Sequence, residues 1–196
     1  MRIVKPAIES DTEKTGKTAQ AEVKAIIEQA KKEHARTLDL GGLSLTEIPK
    51  EVFEMEWLTE LILSSVWYEH NPQTDTWEEK HSSNQLGNNR ISSLPIEIKG
   101  LELLEKLVIS GIGENLSLKP LSSTYLTTLY ATSNGINTVE DIAHMPLRVL
   151  DLSDNIIEEI EPFRNMGLQK LGLRRNNVKS LHPLLNMSTL SHLRCV

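Results

Sequence analysis

The triplet Gly16-Lys17-Thr18 is the first place where residue types suggest chemistry, because it matches the end of a phosphate-binding loop. The full pattern, G-x-x-x-x-G-K-[ST], lies between a buried strand and a helix. Its first glycine would be residue 11, but Asp11 stands there, and a carboxylate beside a phosphate has the wrong charge. Pro6 interrupts the short apolar run upstream and disfavours the required strand. The triplet therefore predicts the approach to a helix rather than a nucleotide site.

A second candidate for chemistry is a group of metal-ligand residue types between positions 69 and 81. It comprises His70 and His81 with Glu69, Glu78 and Glu79. Their spacing matches no closed zinc pattern, and no cysteine is nearby. We expect no metal site and no cofactor from this segment.

Composition narrows the classes of protein that the chain can belong to. The 196 residues carry a net charge of −6, which argues against a general nucleic-acid binder. Cys195 is the only cysteine, so no internal disulfide can form, and a reducing, cytoplasmic location is expected. The N-terminus lacks the apolar core of a signal peptide, and no stretch approaches the roughly 18 apolar residues of a membrane span.

The elements that must position any functional residue are set by an internal repeat. The segments "LRVLDLSDNIIEEI" (147–160) and "LQKLGLRRNNVKSL" (168–181) share the frame L-x-x-L-x-L-x-x-N-x-[IV]-x-x-[IL]. Copies of this frame start at 35, 58, 104, 126, 147, 168 and 190, and only the interval of 46 after residue 58 departs from a period of 21–23. This is the leucine-rich repeat pattern.

The repeat predicts an α/β solenoid: a right-handed, curved leucine-rich repeat horseshoe with parallel β-strands on its concave face. The leucines of L-x-L point to one side of a short strand and fill a core shared by neighbouring repeats. The amides at the fixed asparagine position are expected to hydrogen-bond buried backbone groups where the chain leaves each strand. These asparagines are Asn89, Asn134, Asn155 and Asn176.

The domain boundaries follow from the same frame. We expect a polar N-terminal tail over 1–16, a capping helix over 17–34, and repeats over 35–196 with an insertion at 64–88. The helix is indicated by Val23, Ile26, Ile27 and Ala30, which form one apolar stripe. Nothing caps the C-terminal repeat, so we expect the native protein to continue or another chain to cover that end.

The insertion carries two of the three tryptophans, Trp67 and Trp77, together with Tyr68. The segment "NPQTD" between them is a turn signal, which predicts a hairpin-like excursion with aromatic side chains across it. Two interpretations are open. The rings could pack the insertion onto the solenoid wall, or they could form an aromatic flap that contacts a partner.

The variable strand positions predict what the concave face offers. Tyr130 lies near the middle, and the late strands are rich in charge, with Asp151, Asp154, Lys170, Arg174, Arg175, His192 and Arg194. Asp151 and Asp154 are placed to pair with Arg174 and Arg175 on the neighbouring strand. The same arginines could instead bind a partner bearing acidic groups. The predicted partner-binding residues are Trp67, Tyr68, Trp77, Tyr130, Asp151, Lys170, Arg174, Arg175 and Arg194.

The segment from "LTELILSSVWYEH" through "NNRISSLPIEIKGLELLEKLVISG" resembles the N-terminal leucine-rich region of bacterial Roco-type proteins, and the resemblance covers roughly residues 20–121. In that family the repeats precede a Ras-like GTPase domain and a dimerising domain. The resemblance therefore implies an intramolecular GTPase domain or a second copy of the chain as a partner. No complete phosphate-binding loop is present, so GTP binding is not implied for this chain.

These observations favour a non-catalytic protein–protein interaction module, a regulatory or recognition part of a larger cytosolic signalling protein of Roco type. Its ligand would be a protein or peptide. No nucleophile elbow, zinc pattern or Ser/His/Asp constellation indicates an enzyme, and the frame places Cys195 toward the core. The alternatives are a stand-alone bacterial leucine-rich repeat effector or scaffold that binds a host or partner protein and, less favoured, a nucleic-acid sensor using the basic late strands.

Overall fold

The structure, a computed structural model, describes residues 11–71 and 73–195. It begins with helix α1, Asp11–Glu33, whose buried Val23, Ile27 and Ala30 join the core of the first repeat. The helix therefore covers the first repeat, as the apolar stripe predicted. It starts six residues before the predicted boundary, so Gly16-Lys17-Thr18 lies inside the helix rather than ahead of it.

Seven three-residue strands form one parallel sheet in chain order. They are β1 (Thr37–Asp39), β2 (Glu60–Ile62), β5 (Lys106–Val108), β6 (Thr128–Tyr130), β7 (Val149–Asp151), β8 (Lys170–Gly172) and β9 (His192–Arg194). Each strand begins two residues after a predicted repeat start. The register aligns the central leucines in one row from Leu38 to Leu193. The sheet is open rather than closed into a barrel, which confirms the predicted solenoid.

Short 3₁₀ helices line the other side of the core in the described part of the chain. They span Lys50–Glu54, Ile96–Gly100, Lys119–Leu121, Glu140–Ile142, Glu161–Phe163 and His182–Leu184. Each buries at least one apolar side chain, such as Ile98 or Phe163, against the leucines of the strands. No repeat buries its own apolar face alone, so the core runs continuously along the array.

The fixed asparagines hydrogen-bond the backbone as predicted. Asn134 is fully buried; its Nδ2 donates to the carbonyls of Ile109 and Thr132, and its Oδ1 accepts from the amides of Ile112 and Gly113. Asn89, Asn155 and Asn176 make the same kinds of bond with backbone groups of their own and the preceding repeat. Each amide thus links a buried turn to the preceding repeat.

The insertion forms an antiparallel hairpin of β3 (Val66–Asn71) and β4 (Thr76–His81). Its turn is closed by the Asp75 amide, which donates to the Asn71 carbonyl at 2.9 Å, and by the Gln73 amide, which donates to Asn71 Oδ1 at 2.9 Å. Asp75 adopts a positive φ of 57°. At the base, Gly41 is necessary because a Cβ there would lie 2.0 Å from the Ser64 carbonyl oxygen. The hairpin and its turn were predicted from the sequence.

One prediction about the last strand is wrong. Cys195 stands at a core position of the repeat frame, but the structure exposes it. The preceding core residue, Leu193, is itself 39% exposed. The reason is that a core position is covered by the next repeat, and among the described residues β9 is the last strand of the sheet.

Candidate functional site

The hairpin does not project into solvent but lies on the concave face of the sheet. Trp67 of β3 is 6% exposed and packs with Ile62, Val108 and Tyr130, which belong to β2, β5 and β6. Tyr130 is 3% exposed, and its ring lies 6.3 Å from that of Trp77 in an edge-on arrangement. Burial raises the pKa of Tyr130. The chain therefore covers the middle of its own concave face with its own aromatic residues.

On the early side of the hairpin, one ammonium group is shared by two carboxylates. Lys106 Nζ of β5 lies 2.8 Å from Glu60 Oε1 and 2.9 Å from Glu69 Oε1. Burial by itself lowers the pKa of Lys106, but the hydrogen bonds to Glu60 and Glu69 outweigh it and raise that pKa overall. This cluster joins β2, β5 and the hairpin by charge.

On the late side, an arginine from the last strand covers the hairpin's aromatic rings. The Arg194 guanidinium carbon lies 5.4 Å from the ring centre of Tyr68 and 6.0 Å from that of Trp77. The Tyr68 hydroxyl donates to Glu79 Oε2 at 2.6 Å, a bond that raises the pKa of Tyr68. The Arg194 side chain therefore lies against the hairpin.

At its turn the hairpin reaches the start of the last two strands. Asp75 Oδ1 lies 3.1 Å from His70 Nε2, contacts His192 Nε2, and lies 3.6 Å from Lys170 Nζ. The His192 contact, followed by that of His70, holds the pKa of Asp75 below its usual value. One carboxylate therefore meets three nitrogen groups at this point, which we call the tip cluster: His70, Asp75, Lys170 and His192.

Between the hairpin and the ends of the late strands lies an open cavity of about 340 Å³, here called the late cleft. Its wall is formed by the hairpin on one side and by residues that follow strands β6 to β8, with Arg194 of β9, on the other. The lining residues are Val66, Trp67, Tyr68, Thr132, Ser133, Asp151, Ser153, Asp154, Arg174, Arg175 and Arg194. Three guanidinium groups thus border a cleft that also contains hydroxyl groups and two carboxylates.

Asp151 departs from its predicted pairing with Arg174. Its Oδ1 accepts from the Ser153 amide at 2.9 Å and from the Ser153 hydroxyl at 2.6 Å, while its Oδ2 has no hydrogen-bond partner among the described residues. Burial raises the pKa of Asp151. Gly172 makes room for the carboxylate, since a Cβ there would lie 2.2 Å from Asp151 Oδ1. The second predicted pair is present, with Arg175 Nη1 3.1 Å from Asp154 Oδ1.

The structure separates the predicted partner-binding residues into three groups. Trp67, Tyr130 and Asp151 are buried, and the contacts of their side chains described above are intramolecular. Trp77, on strand β4 of the hairpin, and Lys170, in the tip cluster, are half-buried. The remaining four line the late cleft with accessible side chains: Tyr68, Arg174, Arg175 and Arg194.

Sequence reasoning assigned no role to three residues that the fold brings together. His70 and Asp75 belong to the hairpin, and His192 belongs to the last strand. The sequence contains one signal for His192. Like Arg194, it occupies a variable strand position of the repeat, which predicts a side chain on the concave face. Which hairpin residue it would meet depends on how the hairpin docks, and no local pattern encodes that.

Among the described residues, no helix is both long and apolar enough to span a membrane. No family model and no curated protein matches the chain. Solved structures do match it. Internalin inlF from Listeria monocytogenes is 24% identical, with a TM-score of 0.54 over 75% of this chain and 44% of that one. Internalin C2 from the same organism is 19% identical, with a TM-score of 0.54 over 91% of this chain and 92% of that one.

A plant ice-binding protein is 18% identical, with a TM-score of 0.55 over 76% of this chain and 44% of that one. The chain therefore spans less than half the length of two of these three proteins. At such identities the likeness concerns architecture alone. Together with the parallel seven-strand sheet and its capping helix, it shows that the chain has a leucine-rich repeat fold of the kind found in bacterial proteins.

Proposed function

We propose that the chain is a non-catalytic protein-interaction module that binds, in the late cleft, a protein segment carrying acidic side chains. The general role is supported by the leucine-rich repeat fold, which offers an extended concave surface. In this chain the hairpin covers the middle of that surface, and the late cleft beside the hairpin is open to a partner.

The arrangement of the cleft arginines carries the proposal. Within residues 11–71 and 73–195, the guanidinium groups of Arg174 and Arg194 have no ion-pair partner, whereas that of Arg175 pairs with Asp154. Arg194 is preorganised by its stacking on Tyr68 and Trp77. A planar guanidinium matches a carboxylate through two parallel hydrogen bonds, which favours an acidic ligand group.

The floor of the cleft adds a second requirement on the ligand. Asp151 Oδ2 is a buried acceptor without a partner among the described residues, and such groups are uncommon because they are costly to leave unpaired. A peptide that directs a carboxylate at Arg174 and Arg194 and an N–H group at Asp151 would satisfy both. This combination favours a peptide over a simple anion.

The proposed context is a regulatory or recognition part of a larger cytosolic signalling protein. It rests on the resemblance of residues 20–121 to Roco-type repeat regions and on the single cysteine. The partner would then be a domain of the same protein or a second copy. A stand-alone bacterial effector or scaffold would use the same cleft on a separate protein.

The test uses fluorescein-labelled pools of random dodecapeptides enriched in Asp and Glu, with matched pools in which Asn and Gln replace them. Fluorescence anisotropy should show tighter binding of the acidic pool. The double variant Arg174→Ala/Arg194→Ala should weaken that binding by about tenfold or more, since charge-assisted bonds each contribute about 1.5–3 kcal/mol. Arg90→Ala, an exposed arginine outside the cleft, is the charge-matched control and should leave binding unchanged.

Equal binding of the two pools, or equal effects of the cleft and control variants, would refute the proposal. The same assay with a single-stranded oligonucleotide separates the nucleic-acid alternative. Phosphate contacts give a steep fall of affinity with salt. Tight oligonucleotide binding with such a slope, lost in the cleft double variant, would favour that alternative instead.

A further inference from the structure

The tip cluster contains three groups that are chemically suited to a metal ion. His70 lies on β3, Asp75 in the hairpin turn, and His192 on β9. One ligand atom of each residue lies within 4.8 Å of the other two. Imidazole nitrogen and carboxylate oxygen are common ligands of divalent transition metals, which bind both at about 2.0–2.2 Å.

We propose that His70, Asp75 and His192 form a binding site for a divalent transition-metal ion, with Zn²⁺ as the ion to test. Two imidazoles and one carboxylate supply three protein ligands, which leaves a position for water or for a donor from another molecule. The bound ion would join the hairpin turn to the last strand. This inference is independent of the function proposed for the late cleft.

The two imidazoles are already held in place. The side chain of His70 is only 4% exposed, and its ring packs edge-on against Trp77 with the ring centres 5.6 Å apart. The ring centres of His70 and His192 lie 4.8 Å apart. His192 Nδ1 lies 3.0 Å from the Ser191 hydroxyl oxygen. Once Lys170 has turned away from Nδ1, a proton on Nδ1 can be donated to Ser191, which leaves the Nε2 lone pair for the ion.

The third ligand is an anion poised between the two rings. Asp75 Oδ1 contacts the Nε2 atoms of both imidazoles, and an aspartate carboxylate is ionised at neutral pH. Ligands must be deprotonated to bind a metal. The carboxylate meets that requirement, and metal binding would release any proton that the imidazoles carry.

Lys170 is the group that opposes the ion. Its ammonium lies 3.6 Å from Asp75 Oδ1 and contacts His192 Nδ1. An ammonium and a metal ion would compete for the same carboxylate, so the ion binds only as Lys170 turns away. Removing that charge should therefore tighten metal binding, an effect that a purely structural role of the cluster would not produce.

The experiment titrates the full chain with ZnCl₂ at about pH 7.5 by calorimetry and repeats the titration with Co²⁺, whose visible absorption reports coordination geometry. One saturable site per chain is expected. His192→Ala and Asp75→Asn should each weaken binding by about 100-fold or more, beyond the 10–100-fold typical of residues that only support ligands. Lys170→Met should strengthen it.

The matched control is His81→Ala, because His81 lies on the same hairpin, pairs with Glu79 and stands outside the cluster. It should bind Zn²⁺ like the unaltered chain. His70 is buried, and its replacement could disturb folding, so the decisive variants are those of His192 and Asp75, with circular dichroism confirming the fold. No saturable binding up to about 1 mM metal, equal losses in His192→Ala and His81→Ala, or weaker binding in Lys170→Met would each overturn the proposal.

Discussion

The regular repeats are held by contacts between adjacent repeats, whereas the hairpin is held by contacts with several strands of the sheet. In the repeats each strand bonds only its neighbours, and each fixed asparagine links a turn to the preceding repeat. The hairpin bonds itself through its own ladder and meets the sheet through side chains. Its contacts extend from Ile62 on β2 to His192 on β9.

The array therefore contains contacts between repeats that are not nearest neighbours. Solenoid stability is approximately a sum of repeat and interface terms. Here one insertion in the second repeat connects the third, fourth, sixth and seventh repeats across the concave face. A substitution within one repeat should therefore remove contacts with adjacent repeats only, whereas a substitution in the hairpin should remove contacts between distant repeats.

The largest effect is expected at the point where the hairpin is most deeply buried. Trp67→Ala should lower the free energy of unfolding by about 3–5 kcal/mol, because it empties the space between Ile62, Val108 and Tyr130. Urea unfolding measures it. Tyr125→Ala, at a residue that is 68% exposed, is the control and should change stability by less than about 0.5 kcal/mol. Equal effects would mean that the hairpin is not docked in solution.

Within the repeats, the contribution of the fixed asparagines to stability is best tested at Asn134, the most buried of them. Asn134→Ala should lower the free energy of unfolding by about 1–3 kcal/mol, because buried backbone groups lose their hydrogen-bond partner. Asn176→Ala should cost less because Asn176 is only half-buried. The exposed Asn137 provides the control variant, and its replacement by Ala should be nearly neutral. An Asn134 variant as stable as the Asn137 variant would contradict the assigned role of the ladder.

A smaller effect is expected for the ion pair that joins the hairpin to β5. A double-mutant cycle of Glu69→Gln and Lys106→Met should give a coupling energy of roughly 0.5–1 kcal/mol, reduced because both side chains are partly exposed. The exposed pair Glu158–Lys179 makes the matched cycle and should couple by about 0.3 kcal/mol. If the exposed pair coupled as strongly, the hairpin contact would have no special role.

The parts of the fold that the sequence predicted are those encoded within one repeat. Strand positions and asparagine bonds follow from a frame that recurs every 21–23 residues, and the hairpin follows from the turn residues near Asn71. Each of these features depends on residues that are close in sequence or on adjacent repeats. Periodicity is sufficient information for them.

The candidate site was predicted less well because it depends on where the hairpin docks. Burial of Trp67 and Tyr130 arises from contacts between separate repeats. The sequence argument against a metal site considers only residues of the insertion. In the tip cluster, however, one of the three possible metal ligands is His192, which lies on the last strand. Asp151 was assigned to Arg174, but the hydroxyl of Ser153, two residues on, is the partner that the structure shows.

The smallest effect concerns Asp151 and depends on pH. Burial raises the pKa of Asp151, so the folded state binds a proton more readily than the unfolded state does, and stability from this group rises as pH falls. Asp151→Asn removes the buried charge and keeps an oxygen for Ser153. It should therefore be more stable than the unaltered chain at about pH 7, with an advantage that shrinks toward the ordinary aspartate pKa of about 3.9.

Ser153→Ala should move stability the other way. It removes the hydroxyl that stabilises the ionised carboxylate, so it should be least stable relative to the unaltered chain at neutral pH and approach it in acid. Thermal midpoints of the three proteins between about pH 7 and pH 4 measure both differences. Parallel curves would show that Asp151 is not charged and buried as described, and the cleft floor would then offer a ligand no unpaired anionic acceptor.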